Sequence, residues 1–307
     1  MNKADMIYDI SAIWAAVQEQ FPYFGRLPFD WDEQYYAYLG KVLATEDEGE
    51  FHNLLVEFTG SLGDGHTKYI PPEPFKEAKP FVRPDEPSHT IEGDVLTIKI
   101  NEFLFDHSDY VRKLLTENPD VSMVRLDIRD NIGGNTFYGA KVAELFISGV
   151  FHGCQKWTQI RKAVDAASAS QLVRDSEERL RRYIDDGLMT EEDVEDAKNE
   201  MRRTKYETYL DTHGSEDNVA IYDGPVQLLI SKKTMSAAED FTAMFKSNNR
   251  ATLIGEATFG STGSPYLISL RCGGRAQVVS VGYRLLDGTE FIGSGILPDI
   301  QQNPSEL

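Results

Sequence analysis

Two apolar segments that each run into a helical pattern constrain the fold of this 307-residue chain more than any other feature. The segment VSMVRLDI (121–128) leads through a polar turn into a helical pattern over 136–146. The segment VQLLIS (226–231) leads in the same way into a helical pattern over 237–246. Such strand–turn–helix units predict a mixed α/β core. Further apolar and β-branched runs predict strands at VLTIKI (95–100), ATLIGE (251–256) and AQVVSVGYRLL (276–286).

The beginning of the chain carries helical patterns instead. Apolar residues recur at helical spacing over 7–21, and a second such pattern covers 31–42. Thr45 followed by Glu48 resembles a capping box, which would open a third helix over 51–58. A glycine-punctuated loop follows that helix. We therefore predict a helical region before the α/β core.

The predicted division is a helical N-terminal region over 1–70, which ends in the loop of His66, and an α/β core over 71–307. Within the core, residues from about 160 to 213 are highly charged and poor in strand patterns. Thr190 begins the second half of this segment as a helix start would. We predict a helical insertion there. It is either a solvated excursion on the surface or a lid over a functional site.

Charge and composition restrict the partners of the chain. The formal net charge is −19 and the pI is near 4.7, so nucleic acids and anionic membranes would be repelled. No apolar run is long enough to span a bilayer, and the first 18 residues lack the apolar core of a signal peptide. Cys154 and Cys272 show neither a metal-ligand spacing nor a disulfide framework. We expect a cytoplasmic protein with free thiols, no metal and no cofactor; the oligomeric state stays open.

Three short segments have residue types suited to acyl transfer. Ser236 lies where a predicted strand turns into a helix, so it is either a plain helix cap or a nucleophile beside the free N–H groups of the helix start. Gly133 and Gly134 follow another strand, where they either allow a tight turn or offer N–H groups to a ligand. His66 lies on a glycine-flanked loop, where it is either merely exposed or aimed at a partner.

Taken in order, these segments resemble the tail-specific, C-terminal-processing serine peptidases, a family that includes the core of the tricorn protease. The blocks that carry the resemblance are DIRDNIGG (127–134), SAAE (236–239), GEATFG (255–260), DGT (287–289) and GILPD (295–299). The resemblance covers residues of about 50–150 and 220–300, and it leaves the charged insertion unexplained.

The resemblance implies a fold and allows a test of whether a separate domain could select the substrate. The family has a helical N-terminal region followed by a spiral ββα core of the crotonase and ClpP type. Many members also carry a PDZ domain between the two. Only about 25 residues separate His66 from the strand that begins at Val95, which is too few for such a domain. We therefore expect no separate peptide-binding module in this chain.

The base is expected to be a histidine. Many family members use a lysine directly after T-F-G, but Ser261 occupies that position here. The tricorn-like branch instead uses a histidine in a loop resembling L-x-D-G-H, and this chain has that loop at Leu62–His66. An imidazole can take the proton of a serine and return it to the leaving amine. With an unperturbed imidazole, kcat/KM would rise with pH through a pKa of about 6 to 7.

The residue that orients the histidine is less directly indicated. The tricorn-like branch has a glutamate just before the G-I-x-P-D block, and the matching position here is Ile292. Glu290 lies two residues earlier, which is the same face of a strand. Glu239, one helical turn after Ser236, is the alternative.

The resemblance implies a serine endopeptidase that hydrolyses unstructured or C-terminal peptide segments. Ser236 would be the nucleophile and His66 the base. The oxyanion would be bound by a backbone N–H of the Gly133–Gly134 pair and by that of Ala237. The alternative is a catalytically silent module that binds a ligand or peptide, because the same fold also serves as a retinoid-binding repeat.

Overall fold

A computed structural model describes residues 1–73, 75, 84–158, 181, 184–185, 187, 189–192, 194–195 and 207–303 of the protein. The chain clusters into two compact units. The N-terminal unit contains Met1–Lys79, Trp157–Thr208 and Gly263–Gly282, and the core unit contains Pro80–Lys156, Tyr209–Thr262 and Tyr283–Leu307. Residues 263–282 therefore belong with the helical region, whereas the sequence suggested one core after residue 70.

The elements of the described residues are given in chain order. They are α1 (Lys3–Gln20), a 3₁₀ turn (Phe24–Arg26), α2 (Trp31–Ala44), α3 (Glu48–Gly60), β1 (Lys68–Ile70), β2 (Ser88–Glu92), β3 (Val95–Lys99), α4 (Ser108–Glu117), β4 (Met123–Asp127), α5 (Thr136–Ala143), β5 (Phe151–Thr158), β6 (Glu207–His213), β7 (Val226–Ile230), α6 (Ala237–Ser247), β8 (Thr252–Gly255), β9 (Pro265–Ser269), β10 (Arg275–Val279), β11 (Val281–Arg284) and β12 (Ile300–Gln301).

The N-terminal unit packs three helices around apolar side chains. Ile10 and Val17 on α1 belong to the predicted helical pattern and are fully buried, as is the neighbouring Ile13. The capping box predicted at Thr45 is wrong. The cap of α3 is Asp47, whose Oδ1 accepts the N–H of Glu50 at 2.7 Å, because a carboxylate one residue before the helix reaches the free N–H groups directly.

A small antiparallel sheet completes the N-terminal unit. Its strand order is β1-β10-β9, and Tyr69 on β1 pairs with Ala276 on β10. The strand predicted over 276–286 is therefore wrong as a single element. It is divided at Ser280 into β10 and β11, which belong to different sheets.

The core unit is built on a six-stranded sheet of order β12-β8-β7-β4-β3-β2. All neighbouring pairs are parallel except β2 and β3. Leu96, Val124, Leu126 and Leu228 on its inner strands are fully buried, which explains why these strands have nearly continuous apolar sequences. The predicted mixed α/β core is thus confirmed, while the spiral ββα arrangement stays a prediction.

The pairing of β4 with β7 places two chemically important turns at one edge of this sheet. The strands are parallel, with Asp127 opposite Leu229, so the turns that follow them begin side by side. Each turn leads into a helix, α5 or α6, and these two helices pack closely where Gly139 meets Phe241. A third sheet has the order β11-β5-β6.

The charged insertion lies mainly outside the described residues. Its described residues at 181, 184–185, 191–192 and 194–195 are helical, and the N–H of Val194 donates to the carbonyl of Thr190 at 3.1 Å. Its last seven residues, Glu207–His213, form β6, so the helical prediction is wrong there. The charged residues of ETYLDTH mask a period of two, in which alternate side chains are more buried. Among the described residues, no helix is both long and apolar enough to span a membrane.

Candidate active site

Ser236 lies at the junction of β7 and α6 in an unusual backbone conformation. Its φ is 57° and its ψ is −128°, a region that residues with a side chain rarely adopt. The residue occupies the N-cap position of α6, but its side chain makes no capping hydrogen bond. Its carbonyl accepts the N–H of Glu239 at 2.7 Å. The helix is therefore held by the backbone of Ser236, and the plain helix-cap interpretation of its hydroxyl is not supported.

Two other segments fix the backbone around Ser236. The N–H of Ser236 donates to the carbonyl of Ser261 at 2.9 Å. The N–H of Met235 donates to the carbonyl of Asn131 at 3.2 Å. The turn after β7 is thus bound to the turn after β4 on one side and to the segment before β9 on the other.

The glycine pair packs so closely against neighbouring residues that no side chain fits, and the neighbour of Gly133 is Ser236. Gly133 has a φ of +89°, and a Cβ at that position would lie 2.6 Å from the Cβ of Ser236. Gly134 has a φ of +144°, and its Cβ would lie 2.3 Å from the backbone of Phe103. The tight-turn interpretation therefore holds, because both glycines have a positive φ and approach their neighbours closely, whereas ligand binding by their N–H groups stays a prediction.

The backbone N–H groups near Ser236 differ in their partners. The N–H of Gly133 donates to Oδ1 of Asn131 at 2.9 Å. The N–H groups of Gly134 and Ala237 donate to no acceptor among the described residues. Two backbone donors thus stay open beside Ser236, one on each side, and Ala237 also stands at the positive end of α6.

Glu239 is a fully buried carboxylate that holds a neighbouring turn. Its Oε1 accepts the hydroxyl of Thr258 at 2.5 Å and the N–H of Gly260 at 2.7 Å, and its Oε2 accepts the N–H of Ser261 at 2.7 Å. Burial raises the pKa of this carboxyl to about 7, although the three hydrogen bonds oppose the rise. Glu239 therefore fixes the turn whose Ser261 carbonyl binds the N–H of Ser236.

The G-I-x-P-D block packs on this same turn. The N–H of Gly293 donates to the carbonyl of Gly260 at 2.7 Å, and that of Ile296 donates to the hydroxyl of Thr258 at 2.7 Å. A Cβ at Gly295 would lie 2.1 Å from the carbonyl oxygen of Thr258. The fold thus brings together four of the five blocks, DIRDNIGG, SAAE, GEATFG and GILPD, which are far apart in the sequence.

The two candidate positions for an orienting glutamate are in different surroundings. Glu290 is exposed and forms an isolated antiparallel bridge with Arg284, just after the turn in which Oδ1 of Asp287 accepts the N–H of Thr289 at 2.8 Å. Ile292, at the position where the tricorn-like branch has a glutamate, is buried. The apolar replacement is therefore part of the core, whereas Glu290 is accessible.

His66 belongs to the N-terminal unit, where local hydrogen bonds shape its loop. The carboxylate of Asp64 accepts the N–H of Thr67 at 2.9 Å and the hydroxyl of Thr67 at 2.7 Å. The Thr67 hydroxyl also accepts the N–H of Val279 on β10 at 3.1 Å. His66 is half-buried, and this burial, helped by the charge of Lys68, lowers its pKa to about 4. Its imidazole is therefore neutral at neutral pH.

The structure gathers five of the predicted site residues in the core unit: Gly133, Gly134, Ser236, Ala237 and Glu239. Glu290 belongs to that unit as well, in the segment before the G-I-x-P-D block. His66 is the one predicted residue from the N-terminal unit.

Two buried residues of this region are absent from the sequence-based prediction. Asn131 donates from Nδ2 to the carbonyl of Ile100 at 3.0 Å while its Oδ1 binds Gly133. Glu102 places Oε1 2.6 Å from Nε2 of His107, next to the residue that pairs with Gly134. An asparagine two residues before a glycine is a turn signal that could have identified Asn131. A charged residue two positions after the apolar run 95–100 could have identified Glu102.

A comparison with protein-family models gives one match. The family model described as peptidase family S41 matches residues 94–302, which is more than half of the chain. No curated protein sequence matches the chain.

Solved structures share the fold at low sequence identity. A protein of Parabacteroides merdae is 16% identical, with 99% of this chain and 90% of that chain covered and a TM-score of 0.72. Mature CPAF complexed with lactacystin is 13% identical, with 97% and 94% covered and a TM-score of 0.70. The photosystem II D1 C-terminal processing protease is 13% identical, with 98% and 94% covered and a TM-score of 0.56.

Proposed function

The chain belongs to peptidase family S41, and on that premise we propose that it is a serine endopeptidase whose nucleophile is Ser236. The observation that carries the proposal is the conformation of Ser236. It lies in a rare backbone region at a strand-to-helix junction, and its hydroxyl does not cap the helix. Such a turn presents a hydroxyl to a substrate and costs conformational energy, which is typical of nucleophiles.

The open backbone donors support acyl transfer as the reaction. When the hydroxyl of Ser236 attacks a peptide carbonyl, the carbonyl oxygen becomes an anion. The N–H groups of Gly134 and Ala237 are available to bind it, since neither has an acceptor among the described residues. The N–H of Gly133 already donates to Asn131, so we assign Gly133 to the close approach of the two turns rather than to anion binding.

His66 is proposed as the general base. Its lowered pKa, about 4, keeps the imidazole unprotonated at neutral pH and ready to accept the proton of Ser236. The same low basicity favours return of that proton to the leaving amine in the second half of the step. Ser261 stands where a lysine base would follow T-F-G, which supports the histidine assignment.

Glu290 is proposed to orient His66, in preference to Glu239. The carboxylate of Glu239 already accepts three hydrogen bonds from Thr258, Gly260 and Ser261. Turning it toward an imidazole would leave those buried donors unpaired, at a cost of about 1–3 kcal/mol each. Glu290 is exposed, so water can hydrogen-bond to any group that a change in its side-chain position releases.

The proposed substrates are unstructured or C-terminal peptide segments, hydrolysed in the cytoplasm. One of the structural relatives is a C-terminal processing protease by name. The chain between His66 and β3 is too short for a separate peptide-binding domain, so selection would depend on the access of the peptide to Ser236. A flexible segment satisfies that requirement more easily than a folded surface does.

Hydrolysis of an unstructured fluorogenic peptide by wild-type protein and the Ser236→Ala variant tests the proposal. We expect kcat/KM to fall by about 10³-fold or more, because only binding and oxyanion effects would stay. Ser122→Ala is the matched control, since Ser122 is exposed at the start of the segment that enters β4 and should retain wild-type activity. Activity of Ser236→Ala within tenfold of wild type, with an unchanged circular dichroism spectrum, would reject the nucleophile.

A further inference from the structure

We propose that Asp240 is a positioning residue that holds the two segments flanking Ser236 in the arrangement needed for acyl transfer. The proposal rests on the proposed function of Ser236. It concerns a residue outside the family-like SAAE block, at the next position of α6.

Asp240 connects three parts of the site through one buried side chain. Its Oδ2 accepts the hydroxyl of Thr136 at 2.6 Å, and its Oδ1 accepts the hydroxyl of Thr262 at 2.8 Å. Its own N–H donates to the carbonyl of Ser236 at 3.2 Å. Only 3% of the residue is exposed, so these contacts are shielded from water. Hydrogen bonds to a carboxylate are shorter and stronger than those between neutral groups.

The two threonines are close in sequence to the atoms that would act on the substrate. Thr136 is the first residue of α5 and comes two residues after Gly134, whose N–H is open. Thr262 directly follows Ser261, whose carbonyl binds the N–H of Ser236. A shift of either threonine would therefore move one side of the site relative to the nucleophile.

Glu239 and Asp240 are adjacent on α6 but bind different sets of segments. Glu239 binds the turn of Thr258, Gly260 and Ser261, which lies on one side of Ser236. Asp240 reaches that side through Thr262 and the glycine-pair side through Thr136. Asp240 therefore sets the separation of the two sides, which Glu239 alone does not do.

The burial of Asp240 is costly, which argues for a function beyond packing. Desolvation raises the pKa of its carboxyl, and the positive charge of the buried Lys156 counteracts this rise. Lys156 itself binds Oδ1 of Asp211 at 2.6 Å, so one cation compensates two carboxylates. A threonine–threonine contact or an apolar side chain would fill the same space without burying a second negative charge.

The test compares kcat and KM of Asp240→Ala, Asp240→Asn, Thr136→Val and Thr262→Val with those of wild type on the unstructured peptide. We expect Asp240→Ala to lower kcat by about 10²-fold while KM changes by less than about threefold, since a displacement near 1 Å costs that much in the chemical step. The kcat of Asp240→Asn should be about tenfold higher than that of Asp240→Ala, because the asparagine amide can accept a hydrogen bond from one threonine and donate one to the other. Each valine variant should lose about three- to tenfold.

Thr242→Val is the matched control. Thr242 is also buried in α6, but its hydroxyl donates to the carbonyl of Ala238 within the helix. This variant should keep wild-type kcat, and an equal loss there would overturn the proposal, as would wild-type kcat in Asp240→Ala. If Asp240→Ala does not fold, the two threonine variants decide, and wild-type kcat in both would overturn it. A wild-type protein that hydrolyses no peptide would instead reject the proposed function, which distinguishes the two failures.

Discussion

The turn that carries Ser236 and the loop that carries His66 are built in different ways. The Ser236 turn is held by contacts from distant parts of the chain, through Gly133, Ser261 and the side chains of α6. In the His66 loop, the carboxylate of Asp64 accepts hydrogen bonds from Thr67, three residues later, and the Thr67 hydroxyl accepts the N–H of Val279. The Ser236 turn is fixed by packing across the core unit, and hydrogen bonds between near neighbours in the sequence contribute to the shape of the His66 loop.

This difference has a mechanistic meaning. A nucleophile must be held in a conformation that the backbone does not prefer, so several segments have to act on it together. A histidine loop needs only a defined shape that presents the ring. The glycines reflect this contrast, because Gly133 is enclosed while a Cβ at Gly63 would meet no atom within 4 Å. Mutations in the Ser236 turn should therefore perturb distant segments of the core unit, whereas mutations in the His66 loop should have local effects.

The largest expected effect is that of removing the proposed base, His66. His66→Ala should lower kcat/KM on an unstructured peptide by about 10³-fold, and adding Ser236→Ala should cause little further loss because the two residues act as a unit. His89→Ala is the control, since His89 is an exposed histidine that lies 2.9 Å from the Tyr110 hydroxyl. Near-normal activity of His66→Ala would show that another group takes the proton.

Alanine substitutions at Gly133 and at Gly63 should give the next largest difference in kcat. Gly133→Ala should lower kcat by about 10²-fold and reduce the melting temperature, because the new Cβ would lie 2.6 Å from that of Ser236. Gly63→Ala also has a positive φ, of +69°, but meets open space, so it should cost only about 1 kcal/mol of strain and little activity. Similar losses in both variants would contradict the contrast between the two regions.

Substitutions of Glu290 and Glu239 should distinguish a residue that orients His66 from one that stabilises the fold. Glu290→Gln should lower kcat by about ten- to 100-fold with an unchanged melting temperature, because the residue is exposed. Glu239→Gln should lower the melting temperature as well as kcat, since its amide would face the N–H of Ser261 with another N–H. A severe loss of activity only in Glu239→Gln would reverse the assignment of the orienting carboxylate.

The pH dependence of activity should show the smallest and most specific effect. A histidine whose pKa is lowered to about 4 loses its basic form only as pH falls through that value, so kcat/KM should be flat from neutral pH down to about 5. From the sequence alone, an unperturbed imidazole predicts that kcat/KM rises with pH at about 6 to 7. Circular dichroism at each pH would exclude unfolding as the cause. A limb at 6 to 7 would indicate a solvated imidazole, and a rise continuing above about pH 9 would indicate a lysine base.

Stability should respond to pH in opposite senses in the two regions. The pKa of His66 is lowered from 6.5 to about 4, so its contribution to the free energy of unfolding falls as pH falls through that window. The pKa of Glu239 is raised from 4.5 to about 7, so its contribution falls as pH rises through that window. The difference in melting temperature between wild type and Glu239→Gln should therefore shrink from pH 5 to 7.5, and a widening would contradict the raised pKa.

The sequence predicts strands most accurately where both faces of the strand are buried. The strands β3, β4, β7 and β8 were each predicted to within about two residues, since their apolar runs allow one interpretation. The strand β6 was missed because its charged residues conceal an alternating pattern. The position of Ser236 at a strand-to-helix junction was predicted correctly, because it depends on local sequence.

Side-chain partners across the chain could not be predicted from local patterns. Glu239 binds residues 19 to 22 positions later, and Asp240 binds Thr136, which lies 104 positions earlier. Periodicity carries no information on such pairs. For the same reason, the sequence leaves both glutamates as candidates, and the three hydrogen bonds of Glu239 favour Glu290 in our proposal.

The most direct test of the central claim is to find which residue a fluorophosphonate modifies. Wild-type protein would be incubated with the probe, digested and analysed by mass spectrometry. We expect one adduct, on the peptide containing Ser236, that forms more slowly in His66→Ala than in wild type, by about 10²-fold or more. An adduct on a different serine, or no adduct on a protein that hydrolyses peptides, would contradict it.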